Sequence, residues 1–296
     1  MFNKIRNNCC IHVFAFSLIL LLSLFYISTE SVNAENELKV AVSISPQETF
    51  VNKIAGDRVE VVTVIPPGNS PANYAPSPRQ MTNFSDADIY FSLGLPAEKA
   101  GILSKVRSFN KDIKIIRLDK LIHEKFKSRK LNNGNRDPHI WLSPIRIKEM
   151  IDIMQNEFIK MDDEYKSEYR KKADLYKSEL TELNSYIESK LANLEKKTFI
   201  IYHPVLGYFA QDYDLRMVVI EKDGKKAAPR RIQKIIDLGQ KKKIRSVFYQ
   251  NTSASRQAEI IAEELGGSTI EINPFASNYI TNMRKITNRI ITVLEE

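Results

Sequence analysis

The stretch YKSEYRKKADLYKSELTELNSYIESKLANL, residues 165–194, decides the architecture. Tyr165, Tyr169, Ala173, Tyr176, Leu180, Leu183, Ile187, Leu191 and Leu194 follow one another at intervals of three or four. Lys, Glu, Arg and Ser fill the positions between them, and neither Gly nor Pro interrupts. That spacing draws one apolar stripe along an α-helix. With its flanks it predicts a helix over 163–195 of about 32 residues, roughly 48 Å long at 1.5 Å per residue. One small α/β lobe cannot cover such a length. A coiled-coil pairing helix would need a stricter heptad, and the chain has only one segment of this kind. The stretch therefore reads as a strut running across two lobes.

Both sides of the strut support this. Ahead of it, β-rich runs at 38–44, 59–65, 89–93 and 113–118 alternate with helical stretches at 45–55, 77–86 and 97–106. Behind it, runs at 198–202, 217–220, 246–250 and 268–272 alternate with helical stretches at 204–213, 229–240, 255–265 and 277–294. Strand–helix alternation is the mark of a parallel sheet covered on both faces. The expected fold class is α/β: two lobes, each a four-stranded, mainly parallel sheet flanked by helices, joined by one long helix. The N-terminal lobe is expected over 35–162 and the C-terminal lobe over 196–296. The polar, basic segment 120–136 carries little pattern and reads as a loop.

At the N-terminus, Lys4 and Arg6 precede an apolar run over 11–27, and Val32-Asn33-Ala34 offers small residues at cleavage positions. That is the layout of a secretory signal peptide over 1–34. A retained membrane anchor is the alternative, since the run is borderline for a span. Cys9 and Cys10 both lie ahead of the run, so the exported part would hold no disulfide and would depend on its core. No small-residue motif ending in Cys follows the run, so no lipid anchor is expected. The expected location is the periplasm or the extracytoplasmic membrane surface. The formal net charge is +8, with basic clusters at Lys225-Lys226, Arg230-Arg231 and Lys241-Lys242-Lys243. These alternate with apolar residues at helical spacing. They read as solvated helix faces, or contacts for an anionic membrane, and no nucleic-acid partner is expected.

Ligands of open α/β sheets bind outside the carboxyl ends of the strands. Pro71-Ala72-Asn73-Tyr74 follows the second run, and His139 lies beyond the fourth. His203-Pro204 directly follows 198–202, and Asn273-Pro274 directly follows 268–272. His139 stands in Asp137-Pro138-His139-Ile140-Trp141-Leu142-Ser143-Pro144, whose prolines stiffen the loop and whose Ser143-Pro144 has the form of a helix start. If the lobes face each other, His139 and His203 converge. Two neutral imidazoles suit a borderline divalent ion such as Zn²⁺. His123 reads as an exposed loop histidine, and Tyr74, Tyr208 and Tyr249 as cleft-lining or core residues.

The runs at 66–78, 137–144, 203–209 and 272–274 resemble those of the metal-specific solute receptors of bacterial ABC importers, the zinc and manganese receptors with a rigid helix between lobes. The resemblance covers residues 38–292. It implies that each of four loops supplies one metal ligand. The family pattern has His where this chain has Ala72, His at 139, His or Glu at 203, and usually Asp or Glu at 273. His139 and His203 match, and His203 resembles the zinc type. Ala72 cannot ligate, while Asn273 offers a neutral oxygen where a carboxylate is expected. The implied metal set is His139, His203 and Asn273, with Glu221, Asn73, Gln250 or solvent making up the coordination. The acidic, His-rich loop of many zinc receptors is absent.

The implied function is a monomeric extracytoplasmic binding protein that delivers Zn²⁺, with Mn²⁺ or another divalent metal as the variant, to a membrane permease and its ATPase. The alternative keeps the fold without the metal: a diverged receptor for another ligand, or an accessory or adhesive protein. An enzyme is not expected. The chain has no Gly-x-Ser-x-Gly elbow, no phosphate-cradling glycine loop and no His-Glu-x-x-His.

Overall fold

A computed structural model describes residues 38–250 and 256–296. The signal segment read at 1–34 and both cysteines lie outside the described residues. In chain order the first lobe contains β1 (Leu38–Val42), α1 (Ser45–Ala55), β2 (Val59–Thr63), α2 (Pro78–Ser85), β3 (Ile89–Ser92), α3 (Leu103–Phe109), β4 (Lys114–Arg117) and α4 (Leu118–Lys125). Two long helices follow, α5 (Pro144–Met161) and α6 (Lys166–Leu191). The second lobe contains β5 (Thr198–Ile201), α7 (Gly207–Asp212), β6 (Arg216–Val219), α8 (Pro229–Lys242), β7 (Val247–Gln250), α9 (Arg256–Glu264), β8 (Thr269–Ile272) and α10 (Tyr279–Glu295).

The strands form two sheets of the same topology, β2-β1-β3-β4 and β6-β5-β7-β8. Every pairing among them is parallel, from Val40 opposite Val61 and Ile89 to Phe248 opposite Ile270. Parallel sheets are covered on both faces, which is why β3 is apolar almost throughout and buried at all four positions. In each sheet the chain reverses direction around its first strand. A crevice opens at the carboxyl ends at such a point.

The strut is shorter than its sequence predicts. Asp163–Tyr165 forms a 3-10 turn, and α6 proper has 26 residues, about 39 Å at 1.5 Å per residue. Its buried stripe is Tyr169, Ala173, Tyr176, Leu180, Leu183, Ile187 and Leu191. This face packs on α5, on α1 of the first lobe and on α10 of the second. Phe50 of α1 stands edge-on to Tyr279 of α10 at 5.2 Å and lies 6.2 Å from Tyr176 of the strut. One continuous apolar cluster therefore runs through both lobes. A smaller cluster around Ile200, Ile220, Val247 and Ile261 lies on the second sheet. Close-packed interiors resist shear, so a core shared between lobes opposes a free hinge.

The first part of the segment read as loop, 120–125, belongs to helix α4, whose apolar face is little more than Leu118 and Ile122. One turn's worth of stripe in a lysine-rich segment is too short to register as a period. His123 accordingly sits half-buried on that helix, with Nε2 3.4 Å from the Tyr208 hydroxyl, and is not an exposed loop residue. The helix expected at 97–106 is also broken, into a π-helical turn Glu98–Ile102 and α3, with Gly101 out of helical geometry. Among the described residues no helix is long and apolar enough to cross a membrane.

Candidate metal centre

His139 is held by the residue two before it. Asp137 is fully buried, and its Oδ1 accepts from the His139 backbone N–H at 3.0 Å and from Nδ1 at 2.7 Å. Its other oxygen accepts from Arg129 Nη1 at 2.6 Å. Burial pushes the Asp137 carboxyl up, but the His139 ring and Arg129 outweigh it and hold the group below its ordinary value. Burial pushes His139 down, against the pull of Asp137 and with a further push from His203, so the ring is neutral. The proton sits on Nδ1, facing the carboxylate, and Nε2 presents a lone pair to the cleft.

His203 is built the same way from the other sheet. The β5–β6 register pairs Ile201 with Val219, and the ladder continues through Glu221 N–H to Tyr202 O at 3.1 Å. His203 and Glu221 are thus neighbours just past the strand ends, and Nδ1 meets Glu221 Oε1 at 2.7 Å. Its Nε2 also points into the cleft. The two Nε2 atoms stand 3.3 Å apart, with the rings nearly perpendicular at 88°. Two facing lone pairs call for a cation or a proton between them. Two nitrogens each about 2.05 Å from a tetrahedral ion would lie about 3.3 Å apart.

The support behind the rings joins the lobes. Tyr208 on α7 donates to the Asp137 carbonyl at 3.2 Å and accepts from Arg129 N–H at 3.1 Å. The single Trp, Trp141, donates from Nε1 to Pro274 O of the second lobe at 2.9 Å, and its indole lies 5.6 Å from Phe275 and 5.3 Å from His139. Gly207 leaves the space for the Arg129–Asp137 pair, since a Cβ there would stand 2.4 Å from both Arg129 Nη1 and Asp137 Oδ2. Gly207→Ala should therefore cost about 1–3 kcal/mol by overpacking, read as a lower denaturant midpoint with an unchanged slope.

The cleft between the sheets has a volume of about 560 Å³ and is lined by both histidines, with Ala72, Asn73, Glu221 and Gln250. Asn273, expected beside the histidines, does not line it. Its Oδ1 accepts from Phe275 N–H at 2.9 Å and its carbonyl from Asn282 Nδ2 at 2.7 Å, so the turn through Pro274 has taken the amide oxygen. Tyr208 is core, and neither Tyr74 nor Tyr249 reaches the cleft wall. Gln250 is buried, and its Oε1 has no partner among the described residues. Among the described residues no three His, Cys, Asp or Glu side chains come together as a metal-holding group. Sequence reasoning placed Glu221 among stand-in ligands and missed its hold on His203. The signal was its position, which after β6 matches that of His203 after β5.

Known proteins share this plan. The family model for zinc-uptake complex component A, periplasmic, matches residues 40–293. The high-affinity zinc uptake system protein ZnuA of Bacillus subtilis is 24% identical over 250 residues, covering 80% of this chain and 78% of that protein. A crystal structure of ZnuA superposes with a TM-score of 0.83 at 28% identity, over 88% of this chain and 100% of that one. The periplasmic zinc binding protein TroA from Treponema pallidum shares the fold, with a TM-score of 0.78 at 17% identity over 88% of this chain and 99% of that one. A match that runs through both sheets, the strut and both histidine loops leaves one assignment: the chain belongs to the family of periplasmic zinc-uptake complex component A proteins.

Proposed function

We propose that this chain is the extracytoplasmic solute-binding receptor of an ABC importer, holding Zn²⁺ between His139 and His203 for delivery to a membrane permease driven by its ATPase. The observation that supports it is the pair of Nε2 atoms facing each other at 3.3 Å, each ring fixed by a carboxylate on Nδ1. Paired imidazoles favour zinc over manganese, which prefers oxygen donors. The protein's part is binding and release, with no turnover. The family's place in an uptake complex supports the permease and ATPase as partners.

Binding to the native state raises its stability by mass action, about 2.7 kcal/mol at a hundredfold excess over Kd. Adding Zn²⁺ to the metal-stripped protein should raise the melting temperature, and Mn²⁺ should raise it less. A flat response to every divalent ion would remove the reading and leave a diverged receptor of the same fold.

A further inference from the structure

A zinc ion takes four ligands in most sites. The described residues bring two imidazoles to it and gather no third His, Cys, Asp or Glu into a metal-holding group. The surrounding cleft is far larger than an ion. Its volume of about 560 Å³ lies in the range, about 300–1,000 Å³, of clefts that hold whole small molecules. Its walls differ in charge. The first-lobe wall carries Lys99, Arg129 and Arg136, and the second-lobe wall carries Glu221 and Asp223.

The basic wall has charge to spare. Arg129 is matched by Asp137, but Arg136 shares the single carboxylate of Asp119 with Arg117. Lys99 is exposed and forms no salt bridge among the described residues. Glu221 on the opposite wall is occupied by His203. The cleft therefore has paired imidazoles at one place and unbalanced positive charge at Lys99 and Arg136.

We propose that this cleft takes its metal as a complex with a small di- or tricarboxylate, the ion seated on His139 and His203 and a free carboxylate on Lys99 and Arg136. Carboxylate oxygens are zinc ligands and would fill the positions the protein leaves open. They would also offset the charge of the dication, which two neutral rings do not. Guanidinium and ammonium groups are the donors that recognise the remaining carboxylate. The inference rests on the metal-receptor reading above.

Citrate is the probe. Zinc affinity is measured at buffered free Zn²⁺ with and without millimolar citrate, alongside native mass spectrometry of the bound species. Citrate should tighten zinc binding by on the order of tenfold or more, with zinc and citrate retained together on one chain. Lys99→Met should abolish the gain, read as the ratio of zinc affinities with and without citrate. His203→Ala should abolish retention of both. Zinc bound equally well with and without citrate, and alone in the mass spectrum, would overturn the inference and leave the metal receptor standing. Citrate held equally by the metal-free protein and by His203→Ala would also overturn it, since the site would then be an anion site. Zinc bound under neither condition would remove the receptor reading, and the inference with it.

Discussion

His139→Ala should weaken zinc binding by at least about a hundredfold, measured by competition against a zinc-responsive chelator. The two facing Nε2 atoms are the paired nitrogen donors presented to the cleft, and removing one ring halves the set the described residues bring together. His203→Ala should do the same from the other side. The carboxylates behind the rings act through them. Asp137 and Glu221 each fix the proton on Nδ1, so Asp137→Asn and Glu221→Gln, whose amides can turn and donate, lose that control of the tautomer. Replacing such orienting partners costs about 10–100-fold in metal affinity. The expected ranking is ring losses first, carboxylate losses second, with the far-ultraviolet dichroism of each variant unchanged. Affinity untouched in His139→Ala would put the ion somewhere other than between the rings.

Much of this was legible from the chain. Seven of the positions in the 165–194 stripe form the buried face of α6, because an uninterrupted helical period leaves few alternatives. The eight strands emerged because parallel strands are apolar runs bounded by turns. The convergence of His139 and His203 was expected from the strand-end rule on the condition that the two lobes face each other. What escaped depended on partners that a sequence does not name. Asn273 sits at the right strand end, yet a local hydrogen bond to Phe275 N–H sets where its side chain goes. Glu221 meets His203 only because β6 pairs with β5 in the observed register. Asp137 was given no role of its own in the 137–144 run, and that role comes from the backbone turning His139 back onto it.

Asp212→Ala should destabilise the fold by about 3–5 kcal/mol, the usual cost of removing one partner from a buried ion pair. Arg146 of α5 and Asp212 of α7 meet at 2.6 Å with their side chains only 4% and 8% exposed. Ser143, whose hydroxyl caps α5 by accepting from Arg146 N–H at 3.3 Å, donates to the same carboxylate. The guanidinium lies 4.4 Å from the Tyr208 ring centre, and its Nε has no partner among the described residues. Without Asp212 it would lose its counter-ion while only 4% exposed, keeping the Ser143 hydroxyl as its hydrogen-bond partner. Replacing both residues by apolar ones of similar volume, Arg146→Met with Asp212→Leu, removes the charge with its partner and should recover most of the loss, as buried pairs often allow. Urea unfolding of the two singles and the double closes the cycle. Zinc affinity adds a second readout, because Tyr208 also holds the Asp137 carbonyl behind His139. If the pair acts as a clamp on that support, the double variant should regain stability while its zinc affinity stays below that of the wild type. A single Asp212→Ala costing less than about 1 kcal/mol would show that the guanidinium finds solvent and that the lobes are not pinned here.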